Sequence, residues 1–102
     1  MTEPPILLPE ARKDVADAYT WYEEQSLGLG MDFLRCIEAT IISIQRNPLI
    51  YPIVHESYRR VLVRRFPFAI FFEFNQAGNH SVIYSVFHCS QDSDKWKNRL
   101  PA

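Results

Sequence analysis

The period of the hydrophobic positions changes once along this chain, near Pro52, and the change separates a helical half from a strand-forming half. Within residues 9–25, Ala11, Val15, Ala18, Tyr19 and Tyr22 fall at steps of four, three, one and three, which line one face of an amphipathic helix. Pro9 suits the first helical position, where a missing N–H costs nothing. Ser26-Leu27-Gly28-Leu29-Gly30 interrupts the pattern, and Gly28 is available for a left-handed cap. A second helix is predicted over residues 30–46, with Phe33, Ile37, Ile41 and Ile44 inward and Leu34 and Ile42 beside them. Asn47-Pro48 ends it, because the residue before proline is pushed out of helical geometry. The short linker makes the two helices an antiparallel hairpin.

Beyond Pro52 the period becomes two. Residues 58–65 alternate, with Val61 and Val63 on one side and Arg60, Leu62 and Arg64 on the other. Residues 68–74 place Phe68, Ile70, Phe72 and Phe74 on one face and Ala69, Phe71 and Glu73 opposite. Asn75-Gln76-Ala77-Gly78-Asn79 has the composition of a hairpin turn, and residues 81–89 supply a third strand. Ile6-Leu7-Leu8 reads as a short edge strand, and residues 92–99 as a short closing helix that carries Trp96. The predicted class is α+β, with a helical hairpin covering one face of an antiparallel sheet of three to four strands.

Composition narrows the classes further. A chain of 102 residues buries roughly two-thirds of its surface on folding, enough for one core, so residues 1–102 are expected to form a single domain. With 47 % apolar and 23 % charged residues the chain belongs with globular proteins, not disordered ones. It contains no run long enough to span a membrane and opens without a secretory leader, so a cytoplasmic location is expected. In that compartment Cys36 and Cys89 are expected as buried thiols, with a disulfide as the alternative. His55, His80 and His88 are scattered, so neither a metal site nor a cofactor is expected. The net charge of −1 conceals an asymmetry: residues 1–56 carry four Lys/Arg against nine Asp/Glu, and residues 57–102 seven against three. An anionic partner would be steered to the second half; chance is the competing explanation of so small a sum.

Several short motifs share one order along the chain. Ala11-x-x-Asp14 opens the first helix and Trp21-Tyr22 nears its end. Gly28-Leu29-Gly30-x-x-Phe33 starts the second helix and Pro48 stops it. Arg59-Arg60-x-x-x-Arg64-Arg65-Phe66-Pro67-Phe68 crosses the first sheet hairpin. Val86-Phe87-His88 then leads to Asp92-x-x-x-Trp96-x-x-Arg99. In this order and spacing the chain resembles the RelE/ParE superfamily of bacterial type II toxins, nearer the ParE branch of plasmid stabilisation proteins, from Ala11 to Arg99. The resemblance implies a RelE-like fold and a toxin encoded beside an antitoxin that neutralises it. Within that superfamily, ParE-like members act on DNA gyrase and RelE-like members cleave mRNA on the ribosome. The first is the expectation here, as interference between proteins without bond chemistry of the toxin's own. The alternatives are a ribosome-dependent endoribonuclease and a non-toxic subunit of a complex.

Cleavage of RNA through its 2′-hydroxyl requires a base, cations for the phosphorane charge and an acid for the leaving oxygen. If the chain is a nuclease, His88 is the acid or base, Arg60 and Arg64 clamp the phosphate, and Glu73 supports them. Gln91 stands where many relatives carry arginine, and no tyrosine follows His88. The structural alternatives are a His88 packed beside Trp96 or bonded to a turn, and arginines that guard a strand edge. For partner binding the candidates are Arg60, Arg64, Phe71, Trp96 and Arg99. Arginine forks suit carboxylates as well as phosphates, so an acidic antitoxin segment fits them. Phe71 is expected on the open sheet face, as a docking strip or beneath the C-terminal helix. Trp21 and Tyr22 cannot both point into one core; Tyr22 continues the inner stripe, which leaves Trp21 toward the flank or the helix–helix seam, and packing is the favoured role for it over binding.

Overall fold

A computed structural model describes residues 2–90 and Leu100 of the chain. A two-residue strand β1 (Ile6–Leu7) leads into α1 (Pro9–Gln25) and α2 (Leu29–Arg46). A single 3-10 turn (Pro48–Ile50) and four strands follow: β2 (Ile53–His55), β3 (Tyr58–Leu62), β4 (Phe68–Asn75) and β5 (His80–His88). The helix bounds fall where the hydrophobic period and the prolines put them, and Pro9 opens α1 without a side-chain cap. Gly28 adopts φ 89°, the left-handed conformation that turns the chain between the helices. Its amide and that of Gly30 donate to the Glu23 carboxylate at 2.9 Å, so α1 supplies the anionic cap for the start of α2. At Gly30 the helices approach so closely that a Cβ would lie 2.8 Å from Tyr19 atoms.

The strands form one five-stranded sheet in the order β1-β5-β4-β3-β2, wider than the three to four strands expected. β2 to β5 are antiparallel neighbours, whereas β1 joins β5 in parallel, with Ile6 opposite Val82. The predicted edge strand at Ile6 and Leu7 is therefore real. β2 was not foreseen, because three residues carry no readable alternation. The alternation through residue 65 overran the first hairpin. β3 ends at Leu62, Val63 still donates to the Phe68 carbonyl at 2.9 Å, and Arg65 at φ 70° turns the chain into β4. A bulge at Tyr84 shifts the register of β5 against β4 between Phe71 and Phe72.

Both helices cover one face of the sheet. Ala11, Ala18, Tyr22, Phe33, Ile37 and Ile44 meet Val61, Ile70, Phe72, Ile83 and Val86 in the core. At one end Tyr22, Phe33, Phe66 and Phe68 pack ring against ring, with centroids 4.9 to 6.1 Å apart. Beyond Leu8, whose amide bonds Ile83, β5 has lost its parallel neighbour. There the Asp14 carboxylate takes over, accepting the Val86 amide at 3.0 Å and fastening α1 to the sheet. The predicted helix over residues 92–99 lies outside the described residues.

Candidate functional site

Arginine chemistry gathers beside β3. Arg64, released from the strand by the turn, lines a groove of about 750 Å³ between α2 and β3, together with Arg35 and Arg65. Buried Thr40 and Val61 form its floor, and Leu62, 61 % exposed, stands at its rim. Asp32 holds Arg35 at 3.4 Å and Arg65 at 4.0 Å, and Arg65 also lies over the Phe66 ring. Arg59 is committed to structure: its guanidinium donates to the carbonyl of Tyr51 at 2.6 Å and tethers the 3-10 turn and β2 to the sheet. Arg60 and Arg64 are exposed and make no ion pair among the described residues. The groove is thus a cationic surface beside an exposed leucine, suited to carboxylates or phosphates.

The face opposite the helices carries the row Arg60, Phe71 and Ser85. Phe71 lies on that face as predicted, but it is 2 % exposed, and its ring meets Phe87 at 6.5 Å. An exposed aromatic strip is therefore absent at Phe71, and among the described residues the exposed large apolar side chains of that face include Leu62 near the end of β3 and Ile6 at the opposite edge. Farther along, the Tyr58 hydroxyl donates to Tyr84, and Tyr84 donates to Glu73. Ser57 donates to the same carboxylate. Burial, reinforced by the neighbouring negative charge of Glu73, pushes both phenols above their usual value. Glu73 is thereby engaged as an acceptor within the sheet.

His88 lies on the other side of the sheet. It pairs with Phe68 in register, and its ring stacks edge-on against Phe68 at 5.1 Å, beneath α1. Its Nδ1 accepts the Ser90 amide at 3.0 Å, the turn bond anticipated as the structural alternative. A neutral His88 therefore carries its proton on Nε2. Around it lies a second cleft of about 410 Å³, lined by Asp14, Asp17, Trp21, Tyr22 and Phe87 among others. Trp21 belongs to this cleft and not to the core. Tyr22 takes the inward position one residue on, which leaves the Trp21 indole 56 % exposed.

His88 and Arg60 thus occupy opposite faces, and Arg64 lines the α2–β3 groove, a depression separate from the His88 cleft. Sequence alternation could not place His88 relative to Arg60, because register across two strand pairs decides it. Nor did it show Arg35 joining Arg64, since helix and strand meet there only in three dimensions. Trp96 and Arg99 lie outside the described residues. Cys36 and Cys89 are free thiols, and Cys89 is exposed, not buried, because it lies past the end of β5. Among the described residues no three His, Cys, Asp or Glu side chains are grouped to hold a metal, and no helix is long and apolar enough to cross a membrane.

A family model for the ParE toxin of type II toxin–antitoxin systems, parDE, matches residues 6–93. Among solved structures, a chain of the chromosomal ParDE system from P. aeruginosa is similar with a TM-score of 0.74 at 15 % identity, over 85 % of this chain and 96 % of that one. The toxin–antitoxin complex RelBE2 from Mycobacterium tuberculosis gives a TM-score of 0.61 at 16 % identity, over 86 % and 99 % of the two chains. The isolated RelE toxin of E. coli gives 0.60 at 8 % identity, over 92 % of each. At such identities the likeness is one of fold. No curated protein matches the sequence significantly.

Proposed function

The chain belongs to the ParE toxin family of type II toxin–antitoxin systems, and from that premise we propose that it arrests growth by acting on DNA gyrase and is neutralised by a cognate antitoxin. The observation that carries this reading over ribosomal mRNA cleavage is the separation of the candidate nuclease groups. An acid or base at His88 lies under α1, whereas Arg60 projects from the opposite face and Glu73 is bonded to Ser57 and Tyr84. A phosphorane needs its proton donor and its cations around one atom. The described residues do not gather them so, which favours interference between proteins over bond chemistry.

The antitoxin contact in this reading is the arginine side of the molecule. Arg64 and Arg60 offer charge, Leu62 offers apolar surface, and Trp96 and Arg99 remain candidates beyond the described residues. An acidic segment with apolar side chains matches the α2–β3 groove. The test is induction in cells with and without the antitoxin. His88→Ala is expected to keep its toxicity, and Arg64→Glu to lose rescue by the antitoxin. A His88→Ala variant that folds but no longer arrests growth, with parent protein that cleaves mRNA on ribosomes, would replace this reading with the endonuclease.

A further inference from the structure

One carboxylate stands among the arginines that make the α2–β3 groove cationic. Asp32, in the first turn of α2, directs Oδ1 toward Arg35 at 3.4 Å and Oδ2 toward Arg65 at 4.0 Å. Both of those arginines line the groove. A closed charge-assisted hydrogen bond measures about 2.7–2.9 Å, and an arginine fork grips a carboxylate best through two of them. Neither contact is that short, so Asp32 is shared between two guanidiniums and closed onto neither. Arg35 is 72 % and Arg65 65 % exposed, so water and salt compete with the carboxylate for each. Arg65 has a second hold, because its guanidinium lies 5.7 Å from the centre of the Phe66 ring. It therefore stays near the groove when its ion pair opens. The third arginine of the groove, Arg64, makes no ion pair among the described residues. The arrangement is that of an anion site with a weakly held internal occupant.

We propose that Asp32 is an internal stand-in for a partner's carboxylate, holding Arg35 and Arg65 in the free protein and yielding them to an acidic segment that enters the groove. The inference rests on the reading that such a segment binds there. In the free protein Asp32 offsets the mutual repulsion of two neighbouring guanidiniums and keeps both turned toward one point. A glutamate or aspartate that meets either fork through two short bonds displaces it. Asp32 thereby lowers the affinity of the groove and restricts it to segments whose carboxylates bind better than its own, a specificity set by competition. An aspartate in the first turn of a helix also has a plainer role at the positive end of the helix dipole. That role alone predicts lower stability for Asp32→Asn and no gain in binding.

The test is an NMR titration of the full-length protein with the peptide acetyl-Leu-Glu-Glu-Leu-Glu-amide, following the Arg65 Nε–H, which is assigned by its loss in Arg65→Lys. The control peptide carries glutamine in place of each glutamate. The parent protein is expected to show a saturable shift with the acidic peptide and none with the control. Asp32→Asn is expected to tighten binding about two- to fivefold, the order of the exposed ion pairs that no longer compete. Asparagine keeps the size of the side chain and an acceptor at the helix start, so the variant should fold. Glu24→Gln removes an equal charge from an exposed position on α1 and is expected to leave the affinity unchanged. The Arg65 signals of the parent and Asp32→Asn should differ without peptide and draw together at saturation. Equal or weaker binding by Asp32→Asn, or equal tightening by Glu24→Gln, would overturn the role of Asp32 while leaving the acidic partner of the groove in place. No saturable shift with the acidic peptide in either protein would overturn both.

Discussion

Removing the Asp14 carboxylate should destabilise the fold more than any other single change on the exposed side of α1. Its Oδ2 accepts the Val86 amide at 3.0 Å, on the edge of β5 where the pairing with β1 has ended. Val86 itself is 3 % exposed, so water does not easily replace the carboxylate. A hydrogen bond to a charged group contributes about 1.5–3 kcal/mol, and a neutral one about 0.5–1.5 kcal/mol. Asp14→Ala is therefore expected to cost about 2 kcal/mol, a fall in melting temperature of roughly 8 to 16 °C for a domain of this size. Asp14→Asn keeps an acceptor at the same place and should cost about half as much. Urea unfolding of both variants reads the energies, and hydrogen exchange at the Val86 amide reports the bond directly. If Asp14→Ala unfolds within ~0.5 kcal/mol of the parent, or if Asn is as damaging as Ala, the anchoring role is wrong.

Three further outcomes follow from single features of the structure. Gly30→Ala should destabilise by roughly 1–3 kcal/mol despite the better helix propensity of alanine, because the new Cβ meets Tyr19 at 2.8 Å; thermal melts would show it. Arg59→Ala should release β2, seen as faster amide exchange at Ile53 to His55 with little change in the helices, since its bond to the Tyr51 carbonyl is the tether. In alkaline absorbance titration, Tyr22, Tyr58 and Tyr84 should ionise later than a free phenol. Their folded pKa values are raised, so their stabilising contribution is complete below pH ~10 and is lost as pH climbs from there through the folded values. Glu73→Gln should move Tyr84 back toward the ordinary phenol range, because a neighbouring negative charge is removed.

The helices were legible because their signals are local. Pro9, Gly28 and Pro48 punctuate them, and Phe33, Ile37 and Ile44 repeat at the helical period and are all buried. The faces of β3 and β4 were equally readable, since Val61, Ile70 and Phe72 line the core as their alternation required. What was not legible depends on partners distant in the chain. The parallel pairing of Ile6 with Val82, the two-face separation of His88 and Arg60, and the cap that Glu23 gives α2 are all fixed by tertiary register. Trp21 was legible in its helical phase but not in its exposure. Two adjacent aromatics on one helix cannot share one core, and the helical phase favoured Tyr22. Phe71 followed its face and is 2 % exposed; the sequence had left its exposure open, because alternation assigns a side and says nothing of what lies on it.

The most direct test of the functional account is a DNA gyrase supercoiling and cleavage assay with the purified chain, run with and without the antitoxin. The account predicts inhibited supercoiling and accumulation of linear, cleaved DNA, reversed by the antitoxin and unaffected by His88→Ala. Unaltered gyrase activity with an excess of folded protein that still arrests growth would contradict it.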